Sequence, residues 1–288
     1  MKLDLHIHSI YSDGSLSPEE IIDTAIELGI SAISITDHDN LLGCKLAQKY
    51  LDSKLDETGK NLIEVIPGIE INTLWKAQEV HILGYYMDLS SKNLLDVIAY
   101  QQHARIQQTI EIIEKLNKEA NLNIKMEDIT AFVAEGGSIG RPHIAKTIAK
   151  AIDVKNISLI YTRYISDNSP TYVKRKTITP HEAVDAVYEA GGIPILAHPC
   201  DMEMVEDMIK DLMNHGLRGI EAYHRKHSPA MIEYYSCMAE KYELIVTGGS
   251  DCHGMKFNKQ LFLGKNFIPG WILTELKKEK NRIEIASK

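Results

Sequence analysis

The chain has 288 residues, 44% of them apolar, long for a single domain but ordinary for an α/β barrel with a sizeable core. No apolar run approaches the roughly 20 residues that span a bilayer, so no membrane partner is expected. The formal net charge of −8 argues against a stable nucleic-acid complex, yet permits an anionic substrate where metals or aimed arginines reverse the field locally.

The first strand, "LDLHIHS", sets Asp4, His6 and His8 on one face and Leu3, Leu5 and Ile7 on the other. Two imidazoles on one face can grip a metal ion; a solvated polar edge is the plainer explanation, and this stretch alone does not choose. Residues 18–28 read as a helix, with Ser17 as N-cap, Pro18 in the first position and acidic residues in the first turn. Gly29 stops it, and 31–36 is a short buried strand. A helix from about Leu41, a strand region over 62–72 and a strand over 79–86 complete a β-α-β-α-β run, which predicts a parallel sheet with crossover helices. From about Asn93 to Tyr164 the pattern is helical, broken at 134–142, and 166–180 is an extended polar return. This predicts a helical insertion, residues 93–176, between a first barrel part, 1–92, and a second, 177–288. The alternation resumes with helices at 180–190, 202–215 and 229–241 and strands at 192–199, 217–223 and 243–251.

Chemically capable residues gather at the strand ends. His6 and His8 end the first strand, and Asp13 follows in a turn. "ITDHD" supplies His38, "GIE" supplies Glu70, and His81 lies on the next strand. "ILAHP" ends in His198, and "GGSDCHG" supplies Asp251 and His253. Each alone has a bland explanation, as a turn former, a helix cap or an exposed strand residue. Together they favour a metal centre at the C-terminal mouth of a barrel, where such folds place their active sites. Imidazole and carboxylate suit Mn²⁺, Fe²⁺ or Zn²⁺ without thiolates. Cys200 and Cys252 are read as packed residues. The scattered cysteines and a start without an apolar leader fit a cytoplasmic protein.

"HIHSIYSDG", "ITDHD", "GIE", "VHILGY", "AHP" and "GGSDCHG" occur in the order found in the PHP (polymerase and histidinol phosphatase) superfamily, which the sequence resembles. The resemblance covers both barrel parts and implies a distorted seven-stranded β/α barrel, TIM-like, with the helical segment inserted as a cap. It also implies up to three divalent metals. His6, His8, Glu70 and Asp251 would hold the first. Glu70 would bridge to a second, shared with His81 and His198, and Asp13, His38 and His253 would hold the third. These nine are the candidate catalytic and metal-ligating residues.

Clustered metals point to phosphoester hydrolysis by a metal-bridging hydroxide, with no covalent enzyme intermediate. The expected substrate is a small phosphorylated molecule, a nucleotide such as a nucleoside 3′,5′-bisphosphate. A cyclic sugar phosphate and the 5′ end of a short RNA are alternatives within the family. An amidohydrolase-like C–N hydrolase would leave Asp13, His38 and His253 without work, and a non-catalytic metal scaffold would not need open coordination positions. "SIGRPHIAK" sets Arg141 and His143 at a helix start, where chemistry alone reads Arg141 equally as an anion-site donor or a surface cation, and the resemblance implies that this stretch contacts substrate phosphate. "YHRKHSP", just after a strand, offers His224 and His227 as further substrate contacts. Lys174, Arg175 and Lys176 read as a solvated basic patch from which one could reach substrate, and His103, His181 and His215 as structural or exposed.

Overall fold

The computed structural model describes residues 1–286 apart from 53, 56–58, 60, 77 and 255–260. Seven strands form one sheet in sequence order: β1 (Leu3–Ile7), β2 (Ala32–Ile35), β3 (Glu64–Trp75), β4 (Gln78–Tyr85), β5 (Ile193–Leu196), β6 (Gly219–His224) and β7 (Ile245–Gly249). After β7 the chain returns to β1, where Ile7 bridges Cys252 and the His8 amide donates to the Cys252 carbonyl at 2.8 Å. The sheet is thereby a nearly closed barrel. All five β1 residues are buried, because Leu3 and Leu5 join the apolar core while Asp4 and His6 face the interior.

β4 departs from the parallel sheet that the sequence rhythm predicts. It runs antiparallel to β3, from Gly68 opposite Tyr85 to Trp75 opposite Gln78, and antiparallel to β5. The reason is chain length. Only residues 76–77 separate β3 from β4, and a parallel crossover takes a dozen residues or more. The hairpin is what brings Glu70 and His81 to the same mouth.

Helices α1 (Pro18–Glu27) and α2 (Leu42–Leu51) follow β1 and β2. α1 starts with a capping box: the Ser17 hydroxyl accepts from the Glu20 amide, and the Glu20 carboxylate accepts from the Ser17 amide at 2.7 Å. Between β4 and β5 lie α3 (Lys92–Glu119), α4 (Met126–Thr130), α5 (Arg141–Ala151), α6 (Ile157–Ile160) and a π-helical turn over Tyr161–Ile165. These helices enclose their own apolar cluster, with Ile112, Leu116, Ile129, Ile144 and Ile148 at its centre. α7 (Pro180–Glu189) reuses the α1 device with Thr179 and Glu182. A 3₁₀ turn covers Pro199–Asp201, and α8 (Val205–Met213) starts later than residue 202 because Met204, with φ of 53°, is left-handed. α9 (Pro229–Lys241) is capped by Ser228, and α10 (Trp271–Ala286) packs beside β7. Among the described residues no helix is long and apolar enough to cross a membrane.

Candidate metal centre

The nine side chains singled out from the strand ends converge on one buried cluster. Four overlapping groups have ligand atoms within 4.8 Å of one another: His8, Asp13, His38 and His253; His6, His8 and Asp251; His6, Glu70 and His198; and His38, Glu70 and His81. Glu70 is the hub. Its Oε2 lies 3.3 Å from His6 Nε2, 3.2 Å from His8 Nε2 and 2.9 Å from His38 Nδ1. Its Oε1 lies 2.8 Å from His81 Nδ1 and 2.9 Å from His198 Nε2. Asp251 Oδ1 closes one side, 3.3 Å from His8 Nε2, and Asp13 Oδ1 the other, 3.2 Å from His253 Nε2.

The backbone is shaped to hold these groups. Asp39, His198 and Asp251 all have positive φ, at 49°, 22° and 50°, a strain that non-glycine residues keep only where their surroundings impose it. The loop carrying Asp13 is tied down by Asp37, which accepts from the Ser9 amide at 2.7 Å and from the Ser12 hydroxyl at 2.6 Å. Gly14 in that loop is obligatory, since a Cβ would sit 2.2 Å from the His8 carbonyl oxygen.

The cluster's electrostatics show what it is built to receive. Burial alone would lower His8, but Asp251 and Glu70 overcome it and hold the ring at about 10. Burial pushes His38 down to about 4. Burial opposes ionisation of Glu70, yet the surrounding imidazoles keep it well below the usual carboxylate range. His6 Nε2 and His8 Nε2 stand only 3.2 Å apart, an approach that needs a proton or a cation between two lone pairs. Asp13 Oδ1, His38 Nδ1, Glu70 Oε2 and His224 Nε2 are buried without a hydrogen-bond partner. Buried polar atoms are otherwise nearly always paired, so this nitrogen-and-oxygen set fits divalent metals.

Beside the cluster lies a cavity of about 200 Å³ between the barrel mouth and the inserted helices. Asp13, His38 and His81 line the barrel side, and Arg141, Tyr172 and Arg175 the other. Arg141 stands over the Tyr172 ring and binds Glu79 and Asp167. Arg175 corrects the reading of residues 174–176 as a solvated patch: its side chain is only 11% exposed, its Nε has no hydrogen-bond partner, and burial lowers it to about 10. Lys174 and Lys176, one residue away on the extended chain, are exposed. His143 turns back to its own helix start, where Nδ1 accepts from the Gly140 amide at 3.0 Å. His224 is buried with Nε2 3.5 Å from Asp251, and His227 lies behind it, donating to the Ala222 carbonyl at 2.7 Å. A larger hollow of about 720 Å³ beside the start of β7 and α10 contains none of the clustered residues.

Sequence reasoning passed over the groups behind the ligands. Glu221, fully buried on β6, accepts from His6 Nδ1 at 3.0 Å and from the His198 amide at 2.9 Å. Its signal was a second "GIE" (219–221), matching the one that ends in Glu70. Arg105, on α3, donates to Asp39 at 2.8 Å, to Asn72 Oδ1 at 2.8 Å and to the Ile139 carbonyl at 2.9 Å, while Asn72 reaches His81 at 2.8 Å. Only the fold brings residues 39, 72, 105 and 139 together, so no local spacing announces this network.

The PHP domain family matches residues 4–166, more than half of the chain. A 5′-3′ exoribonuclease from Haemophilus influenzae is 30% identical over 278 residues, covering 94% of this chain and 98% of the relative. A 3′,5′-nucleoside bisphosphate phosphatase from Chromobacterium violaceum is 26% identical, covering 87% of each. A solved structure from Bifidobacterium adolescentis, described as a metal-dependent phosphoesterase, superposes with a TM-score of 0.84 at 29% identity, covering 95% of this chain and 94% of that one. With the ligand cluster at the barrel mouth, these likenesses identify the chain as a member of the PHP domain family and a metal-dependent phosphoesterase, a hydrolase of phosphate esters.

Proposed function

We propose that the protein removes a phosphate from a small substrate that carries a second phosphate, a nucleoside 3′,5′-bisphosphate being the leading candidate. The cavity beside the metal centre carries this reading. It joins the clustered ligands to two arginines, Arg141 and Arg175, and to Tyr172, whose ring can face a base or sugar. The 3′,5′-nucleoside bisphosphate phosphatase from Chromobacterium violaceum has the same combination of phosphates in its name. A second reading, the 5′ end of a short RNA, is favoured by the likeness to the Haemophilus exoribonuclease and by exposed Lys174 and Lys176 beside Arg175.

His6, His8, Glu70 and Asp251 would hold one metal. Glu70, His81 and His198 would hold a second, and Asp13, His38 and His253 a third, with His38 standing between the last two groups. When bound, such metals lower the pKa of water and neutralise the oxygens of the reacting phosphate. The chain's own work is to orient and enclose. Arg141, at the start of α5, can leave Glu79 and Asp167 for a phosphate, and Arg175 offers an Nε donor without a hydrogen-bond partner among the described residues. Binding the second phosphate fixes the reacting one in place, so it raises kcat as well as affinity. Residues 93–176 act as the cap that excludes bulk water. His224, aimed at Asp251, is the nearer of the two 224–227 imidazoles to the reacting centre.

The test compares kcat/KM for a nucleoside 3′,5′-bisphosphate with the 3′- and 5′-monophosphates in Mn²⁺. The bisphosphate should be the better substrate by at least about tenfold, the worth of one hydrogen bond to a charged group. Equal values for all three contradict the two-phosphate reading, and cleavage of a cyclic phosphodiester alone replaces it.

A further inference from the structure

Glu221 faces neither the cavity nor solvent, yet it touches two of the clustered histidines. Strict alternation along β6 would send Glu221 and His224 to opposite faces of the sheet. The pairing of β6 with β7 slips between Glu221 and Tyr223, an irregularity of the kind that re-aims side chains, and both Glu221 and His224 are buried. One Glu221 oxygen lies 3.0 Å from His6 Nδ1, and the other lies 2.9 Å from the His198 amide nitrogen. A carboxylate only accepts here, so His6 carries its proton on Nδ1. That leaves Nε2 as the ring atom aimed at His8, Glu70 and Asp251, the atom that would ligate a metal. The second hydrogen bond ties down His198, whose φ of 22° places it in strained backbone.

We infer that Glu221 is a positioning residue for the metal centre, setting the His6 tautomer through one oxygen and the His198 backbone through the other. This rests on reading the cluster as a metal centre, and it deepens that reading: one buried carboxylate aligns ligands contributed by β1 and by the turn after β5. Glu221→Gln cannot do both jobs. With its oxygen on His6, its amide nitrogen meets the His198 N–H donor to donor. Glu221→Asp keeps both acceptors on a shorter arm.

The experiment titrates Zn²⁺ out of wild type, Glu221→Gln and Glu221→Asp with a competing chelator, and records apo melting temperatures and, with Zn²⁺ bound, ¹⁵N histidine spectra. Glu221→Gln should bind Zn²⁺ about 10- to 100-fold more weakly, the usual effect of removing a group that orients a ligand. Glu221→Asp should fall between it and wild type. Zn²⁺-loaded wild type should show His6 with its proton on Nδ1. Unchanged Zn²⁺ affinity in Glu221→Gln, or a His6 protonated on Nε2 in Zn²⁺-loaded wild type, overturns the inference. The spectrum decides even if the variant does not fold. A wild type that retains no Zn²⁺ would overturn the metal-centre reading itself.

Discussion

At the scale of single residues, the two arginines facing the cavity from the inserted segment separate function from support. Arg141 and Arg175 should each be replaceable by alanine with metal content unchanged, while kcat/KM on a bisphosphate falls by about 1.5–3 kcal/mol, roughly 10- to 150-fold. Wild-type kinetics in either variant would return that arginine to a structural role. His143 behaves differently. Burial lowers it to about 4, and its Nδ1 accepts from the Gly140 amide, so protonation would set two donors against each other. In the unfolded chain it takes up a proton near pH 6.5. Its contribution to stability is therefore complete above about pH 6.5 and is lost as the pH falls towards 4. The Cε1–H resonance should titrate near 4, and a midpoint near 6.5 would contradict the buried, helix-capping assignment. The strand-end candidates were legible as a set, because His6, His8, Asp13 and Asp251 stand with the others at successive strand ends in the motif order of the family, although each alone has a bland explanation. Arg175 was not, since its burial depends on α3 and the π-helical turn lying over it.

Among the elements, α3 is tied to the barrel by a hydrogen-bonded network with a buried ion pair at its centre. Arg105 and Asp39 are 2.6 Å apart at their closest, 7% and 0% exposed. Arg105→Met should leave Asp39 charged and buried with only Arg175, 3.8 Å away, to offset it, costing up to about 3–5 kcal/mol in urea unfolding. Adding Asp39→Asn should recover much of that loss, because the charge it strands is removed. A single mutant as stable as wild type would mean that the pair is solvated in solution. Helices α1, α7 and α9 were readable, with Ser-Pro and Thr-Pro starts that state both the cap and the first turn; α10 carries no such start and was not read from the sequence. The direction of β4 was readable too, from the shortness of its connection to β3, but the α/β rhythm on either side masked it. The length of α8 was not, as nothing in the sequence announces the left-handed Met204 that delays its start.

For the molecule as a whole, an acidic chain carries its cations where an anion is handled. The formal charge is −8, yet Arg105, Arg141 and Arg175 all line the cavity beside the metal cluster. The barrel with its helical insertion follows from the order of the strand-end motifs. The closure of insertion over mouth does not, because it depends on contacts between residues far apart in sequence. The central claim is that nine residues from seven places in the chain form one multi-metal centre. Metal analysis of fully active protein, repeated for Asp13→Ala and His253→Ala, tests it most directly. About three equivalents per chain are predicted for wild type, with about one lost in each variant and the folded state retained. A single equivalent in fully active wild type would contradict the account.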